Sequence, residues 1–131
     1  QRLVRRLCPM CREATPIQGR DKEMMDSLLK NIPHADDLPA NRETMWLAKG
    51  CERCGGFGYK GRISVVEVIL MDRTIEDTVR KGASERDIWV AAKPQGIRRM
   101  AQDGAVKVLQ GITSLDELSR MVDLTDETVF M

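Results

Sequence analysis

The apolar residues of this chain fall into short blocks divided by proline and glycine, and each block carries its own period. Leu3, Val4 and Leu7 stand at helical spacing, so residues 1–7 read as a helix that Pro9 must end. Pro16 and Gly19 mark residues 13–19 as loop. Met24, Met25, Leu28, Leu29 and Ile32 then predict an amphipathic helix of about three turns, stopped by Pro33. Residues 33–39, bounded by two prolines, read as another loop. Residues 44–49 and 62–70 are rich in β-branched and large apolar side chains and predict two strands. Between them lies a glycine-dense run over 50–61, expected to form the tip of a hairpin joining the two strands.

From residue 72 the pattern becomes that of short helices. Asp72 or Thr74 starts the first, with Ile75 and Val79 facing inward before Gly82. Ser84 and Asp87 form a capping box for the second, which Pro94 and Gly96 close. Ile97 to Leu109 makes a third helical stretch, interrupted by Gly104 and ended by Gly111. Residues 113–117 start the last, whose buried stripe is Leu115, Leu118, Met121 and Val122, and the acidic tail 123–127 reads as frayed. The expected architecture is α+β: a metal-stapled lobe over 1–71 with a β-hairpin and helices, followed by a small all-helical lobe over 72–131.

Composition makes a staple necessary. Only 4% of the residues are aromatic, so aliphatic side chains and eight methionines must fill the core, and two small lobes bury little surface each. The formal net charge of +1 argues against a nucleic-acid partner. The cationic start, with Arg2, Arg5, Arg6 and Arg12, reads as a solvated face. No apolar run is long enough to span a bilayer and no signal peptide opens the chain, so it reads as cytosolic. Its first residues look like the middle of a longer protein.

The chemistry lies in the cysteines. Cys8, Cys11, Cys51 and Cys54 form two C-x-x-C pairs, and outside a secretory context such pairs favour metal or redox chemistry over disulfides. A thioredoxin-like site uses one pair at a helix start in a βαβ unit, which is absent here. Four thiolates converging on one ion suit structural zinc, and a closed shell leaves no position for an activated water. Disulfides or an iron centre are the other chemistry these thiols allow. Loss of the ion is expected to unfold residues 1–70 and leave the later helices partly formed. His34 reads as a solvent-facing loop residue, Trp46 and Trp89 as packing residues, and Asp36, Asp37, Asp116 and Glu117 as loop or helix-start acids. No phosphate loop, dinucleotide fingerprint or nucleophile elbow is present, so no catalytic or nucleotide-binding residue is assigned.

The run Gln1-Arg2-Leu3-Val4-Arg5-Arg6-Leu7-Cys8-Pro9-Met10-Cys11, the later Gly50-Cys51-Glu52-Arg53-Cys54 and the turn Gly58-Tyr59-Lys60-Gly61-Arg62 resemble the C-terminal region of the type II secretion and type IV pilus assembly ATPases. The resemblance continues through Glu67, Asp103-Gly104, Gly111-Ile112-Thr113 and Ser114-Leu115-Asp116-Glu117; Phe57 and Pro94 depart from it. It implies a tetracysteine zinc element in a homo-hexameric cytoplasmic motor. The RecA-like motor domain, with its ATP and magnesium, would lie upstream, and an inner-membrane platform protein would be the partner. Cys51-x-x-Cys54-x-Gly56-x-Gly58 also fits the repeat of DnaJ-type zinc chaperones, which need several copies, and a free-standing zinc-ribbon module binding protein or nucleic acid is the remaining alternative.

Overall fold

The computed structural model describes residues 1–125, and of the acidic tail expected to fray, 126 and 127 lie outside them. Four strands come before Met71 and four helices after it, with one further helix inserted among the strands. β1 (Arg2–Leu7) pairs antiparallel with β4 (Tyr59–Val65), and β2 (Glu13–Pro16) pairs antiparallel with β3 (Thr44–Leu47). The chain therefore runs out along β1 and β2 and returns along β3 and β4, and each C-x-x-C turn interrupts one of the two runs. Helix α1 (Gly19–Leu29) is an excursion between β2 and β3; its buried Met25 and Leu28 confirm the helical spacing.

Four sequence expectations change. Residues 1–7 are a strand, because Val4 and Leu7, three positions apart, lie on opposite faces and both faces are covered, which imitates a helical period. Residues 13–16 pair as a strand despite Pro16. The strands at 44–47 and 59–65 do not pair with each other; the first pairs with β2, just after the first cysteine pair, and the second with β1, just before it. The expected strand over 62–70 stops at Val65, where pairing with Arg2 runs out. Beyond it, side chains take the backbone instead: Asp103 accepts from Val66 N–H at 2.9 Å, and Gln95 both accepts from Leu70 N–H and donates to its carbonyl at 2.9 Å.

The helices α2 (Arg73–Arg80) and α3 (Glu85–Ala92) begin where their caps predict, as does the last, α5 (Leu115–Met121): Asp72, Ser84 and Ser114 accept from the third residue on. Between them α4 (Met100–Leu109) starts three residues later than Ile97, after Arg99, whose N–H donates to Gln102 Oε1 at 2.8 Å. The main core takes residues from both sides of Met71, with Val4, Met25, Leu28 and Val65 packing beside Ala105, Leu109 and Leu118. A smaller core of Ile75, Trp89 and Ala92 holds α2 on α3. Gly104 does not interrupt α4. It is a contact point, where an added Cβ would come within 2.2 Å of fully buried Leu118 on α5. Gly104→Ala therefore loses more by overpacking, about 1–3 kcal/mol, than the roughly 1 kcal/mol gained in helix propensity. A lowered melting temperature is expected, and an unchanged or raised one would contradict this packing.

Candidate metal centre

β1 delivers Cys8 into a tight turn in which Cys11 and Arg12 N–H both return to the Cys8 carbonyl, at 3.4 and 3.1 Å. Cys8 N–H in turn donates to the Gly58 carbonyl at 2.9 Å, tying the first knuckle to the second. The second knuckle is a single 3-10 turn, Glu52–Cys54, closed by Gly56 N–H on the Cys51 carbonyl at 2.9 Å. Glycine at 58 is required twice over. Its φ is +79°, and a Cβ there would meet the Ala48 side chain at 2.7 Å.

The four sulfurs converge. Cys8 and Cys51 Sγ lie 3.8 Å apart, as do Cys11 and Cys54 Sγ, and all four fall within 4.8 Å of one another. None is in a disulfide, whose sulfurs would lie about 2 Å apart. A tetrahedron of sulfurs at the zinc–thiolate distance has an edge of about 3.8 Å, so the donor set and its spacing fit zinc. All four positions of such a shell are taken by protein.

Electrostatics within the knuckles are unequal. Burial pushes the Cys54 thiol up, but N–H groups of Cys51 and Gly58, each 3.2 Å from its sulfur, and the neighbouring Cys51 and Cys11 outweigh this and bring it down to about 6. Burial pushes Cys11 the other way, to about 11; Gly50 N–H opposes this and the neighbouring cysteines reinforce it. A cation is what allows all four to ionise together, so metal binding must release protons and weaken as pH falls.

Arg12 couples this centre to the helices. Its guanidinium donates to the Gly111 carbonyl at 2.5 Å and lies over the Trp46 ring at 5.1 Å. Leu7 N–H reaches the Ile112 carbonyl at 2.8 Å. One turn further on, Glu117 on α5 is buried and takes Arg5 Nε and a terminal nitrogen at 3.0 and 2.8 Å, together with Arg5 N–H at 3.2 Å. Arg5 also lies over the Tyr59 ring, whose hydroxyl meets Ser114 Oγ at 2.6 Å. Arg5 and Arg12 are thus structural, and only Arg2 and Arg6 of the four early arginines are solvated as expected.

His34 is exposed in a loop and stands outside the cysteine group, as read from sequence. Trp46 and Trp89 both pack, Trp89 beneath the Arg99 guanidinium at 3.6 Å. Asp37 is held by Arg98, which keeps its carboxyl below the usual range, and Glu67 is held by Arg99 at 3.0 Å. The Arg5–Glu117 and Glu67–Arg99 pairs were not anticipated. They join residues 112 and 32 positions apart, for which no local pattern exists.

Residues 1–120 match the family model described as type II/IV secretion system protein. The chain belongs to that family. Among its secretion relatives, the type IV pilus assembly ATPase TfpB of Acinetobacter baylyi is 38% identical over 125 residues, covering 95% of this chain and 20% of the relative. The type IV pilus assembly ATPase PilB of Thermus thermophilus is also 38% identical over 125 residues, covering 94% of this chain and 13% of PilB. The type II secretion system protein E of Aeromonas hydrophila is 34% identical over 123 residues, covering 92% and 22%. This chain therefore spans about a fifth, or less, of the length of these secretion and pilus proteins. Among its described residues no helix is long and apolar enough to cross a membrane.

Proposed function

We propose that this chain is the zinc-stapled accessory part of a secretion or pilus-assembly ATPase, with a single zinc ion held by Cys8, Cys11, Cys51 and Cys54. The observation that carries the reading is the meeting of four free thiols at tetrahedral spacing in a chain matched to this family along nearly its whole length. Zinc here would supply structure alone. Its shell is complete, and what the residues do is hold two strand runs in register: the knuckle backbone presents N–H groups to sulfur, and Arg12 passes the constraint on to the α4–α5 turn.

In this reading residues 1–71 form the zinc-binding part and 72–131 the helical part, meeting in one core. ATP and magnesium are bound upstream, by a RecA-like motor domain of a cytoplasmic homo-hexamer. The accessory part bears on an inner-membrane platform protein. Titrating magnesium-ATP into the zinc-loaded chain tests the division of labour. Neither binding heat nor phosphate release is expected; turnover by the chain alone would place a catalytic site where this reading puts none.

A further inference from the structure

Each knuckle presents one sulfur outward and keeps one in. Cys11 and Cys51 are half-buried, whereas Cys8 is only 1% and Cys54 only 7% exposed. Direct sulfur contacts run from one knuckle to the other: half-buried Cys51 on buried Cys8, and half-buried Cys11 on buried Cys54, both at 3.8 Å. The knuckles are already tied here by Cys8 N–H on the Gly58 carbonyl at 2.9 Å, and Gly58 N–H in turn donates to the Cys54 sulfur. An oxidant arriving from solvent therefore meets an outer sulfur first, with a second sulfur in contact behind it.

We propose that this centre is a peroxide-responsive modification site, whose four sulfurs oxidise to two disulfides, Cys8–Cys51 and Cys11–Cys54, and give up the ion. The step acts on the zinc centre proposed above and rests on that reading. In each pair the outer thiolate attacks one oxygen of hydrogen peroxide. A sulfur–oxygen bond forms, the oxygen–oxygen bond breaks and hydroxide leaves, giving the sulfenic acid of Cys11 or Cys51. The inner thiolate, Cys54 or Cys8, then attacks that sulfur; the sulfur–sulfur bond forms, the sulfur–oxygen bond breaks and a second hydroxide leaves. Each disulfide takes two electrons from sulfur and places them on one peroxide. Two peroxides thus consume all four donors, yield four hydroxides and leave a divalent cation without a ligand.

Pairing across the knuckles decides what the oxidised chain becomes. Each bond joins residues 43 positions apart, and closing so long a loop restricts the unfolded chain more than a bond within one C-x-x-C turn does. Bonds inside the turns would leave the outgoing run of β1 and β2 with no covalent tie to the returning run of β3 and β4. Closing the contacts to a bonded separation of about 2 Å is within reach of side-chain rotation at the cysteines. The link between the two runs is thereby exchanged, one ion for two covalent bonds, and a dithiol reverses it.

Treating the reduced, zinc-loaded chain with about two equivalents of hydrogen peroxide tests this. Released zinc is followed with a chromogenic chelator, and remaining thiols are blocked with iodoacetamide before digestion and mass spectrometry. Trypsin cuts after Arg53 and parts Cys51 from Cys54, while fragmentation of peptide 7–12 between Met10 and Cys11 parts the other two. Nearly all of the zinc should be released, the peptides should be linked Cys8 to Cys51 and Cys11 to Cys54, and dithiothreitol with added zinc should restore the metal content. Disulfides within a turn, Cys8 to Cys11 or Cys51 to Cys54, overturn the proposal. So do thiols that stay free and keep their zinc, or sulfurs that pass unpaired to sulfinic acid. A reduced chain that holds no zinc at the outset counts against the zinc reading alone, because the linked peptides still report the pairing.

Discussion

Replacing Cys54 with serine, or stripping the metal with a strong chelator, is expected to abolish the cooperative unfolding transition of this chain. Structural zinc in small domains contributes roughly 10–16 kcal/mol, which equals or exceeds the 5–15 kcal/mol total stability of an ordinary domain. Cys54 is the most demanding of the four positions, being buried and accepting two backbone N–H groups that a serine hydroxyl would meet at the wrong distance. The loss should not stop at the strands. Val4 and Val65 share one core with Ala105, Leu109 and Leu118, so α4 and α5 should melt with the knuckles, and only the α2–α3 pair has a separate core. That is a wider collapse than the sequence suggested. Far-UV circular dichroism with and without chelator would show it, and a metal-free chain that keeps its signal and its melting transition would contradict it.

Glu117→Gln is expected to cost about 2–3 kcal/mol, less than the 3–5 kcal/mol of breaking a fully buried pair because Arg5 is half-exposed and can recover solvent. A shift of that size lowers the melting temperature by roughly 6–12 °C in a chain of this length. The pH dependence gives the sharper signature. Burial pushes the Glu117 carboxyl up, but hydrogen bonds from the Arg5 side chain and backbone, with the charges of Arg5 and Arg120, prevail and hold it below its ordinary value of 4.5. A carboxylate lowered in the folded state stabilises above its unfolded pKa, and that contribution disappears as pH falls through the folded one. Metal release acts in the same acidic direction, so the two must be separated. The difference in stability between wild type and Glu117→Gln should be constant at neutral pH and shrink below about pH 4.5. A gap that does not close on acidification would show that the ion pair is not its source.

The elements that were legible in the sequence are those set by local chemistry. Asp72, Ser84 and Ser114 announce helices through a single side chain and the amide three residues on, and α1 shows its buried face in the spacing of Met25 and Leu28. The cysteine site was legible for the same reason, because a C-x-x-C turn is a local device and two of them have few ways to be satisfied. What was not legible depends on partners far along the chain. β1 is covered on both faces, so Val4 and Leu7 carry no alternation, and the β1–β4 and β2–β3 pairing follows from where the metal draws the two runs together. Gly104 reads as a helix breaker until Leu118 is seen against it. Glu117 and Arg5 each have an ordinary local explanation, as a helix-start acid and a surface cation, and only the fold brings them within 2.8 Å.

The central claim, one ion bound by four cysteine sulfurs, is tested most directly by X-ray absorption at the zinc edge of the purified chain, together with its metal content. One zinc per chain is expected, with a single shell of four sulfurs at about 2.3 Å and no nitrogen or oxygen neighbour. A metal-free protein that stays folded, or a shell that contains water or imidazole, would contradict it.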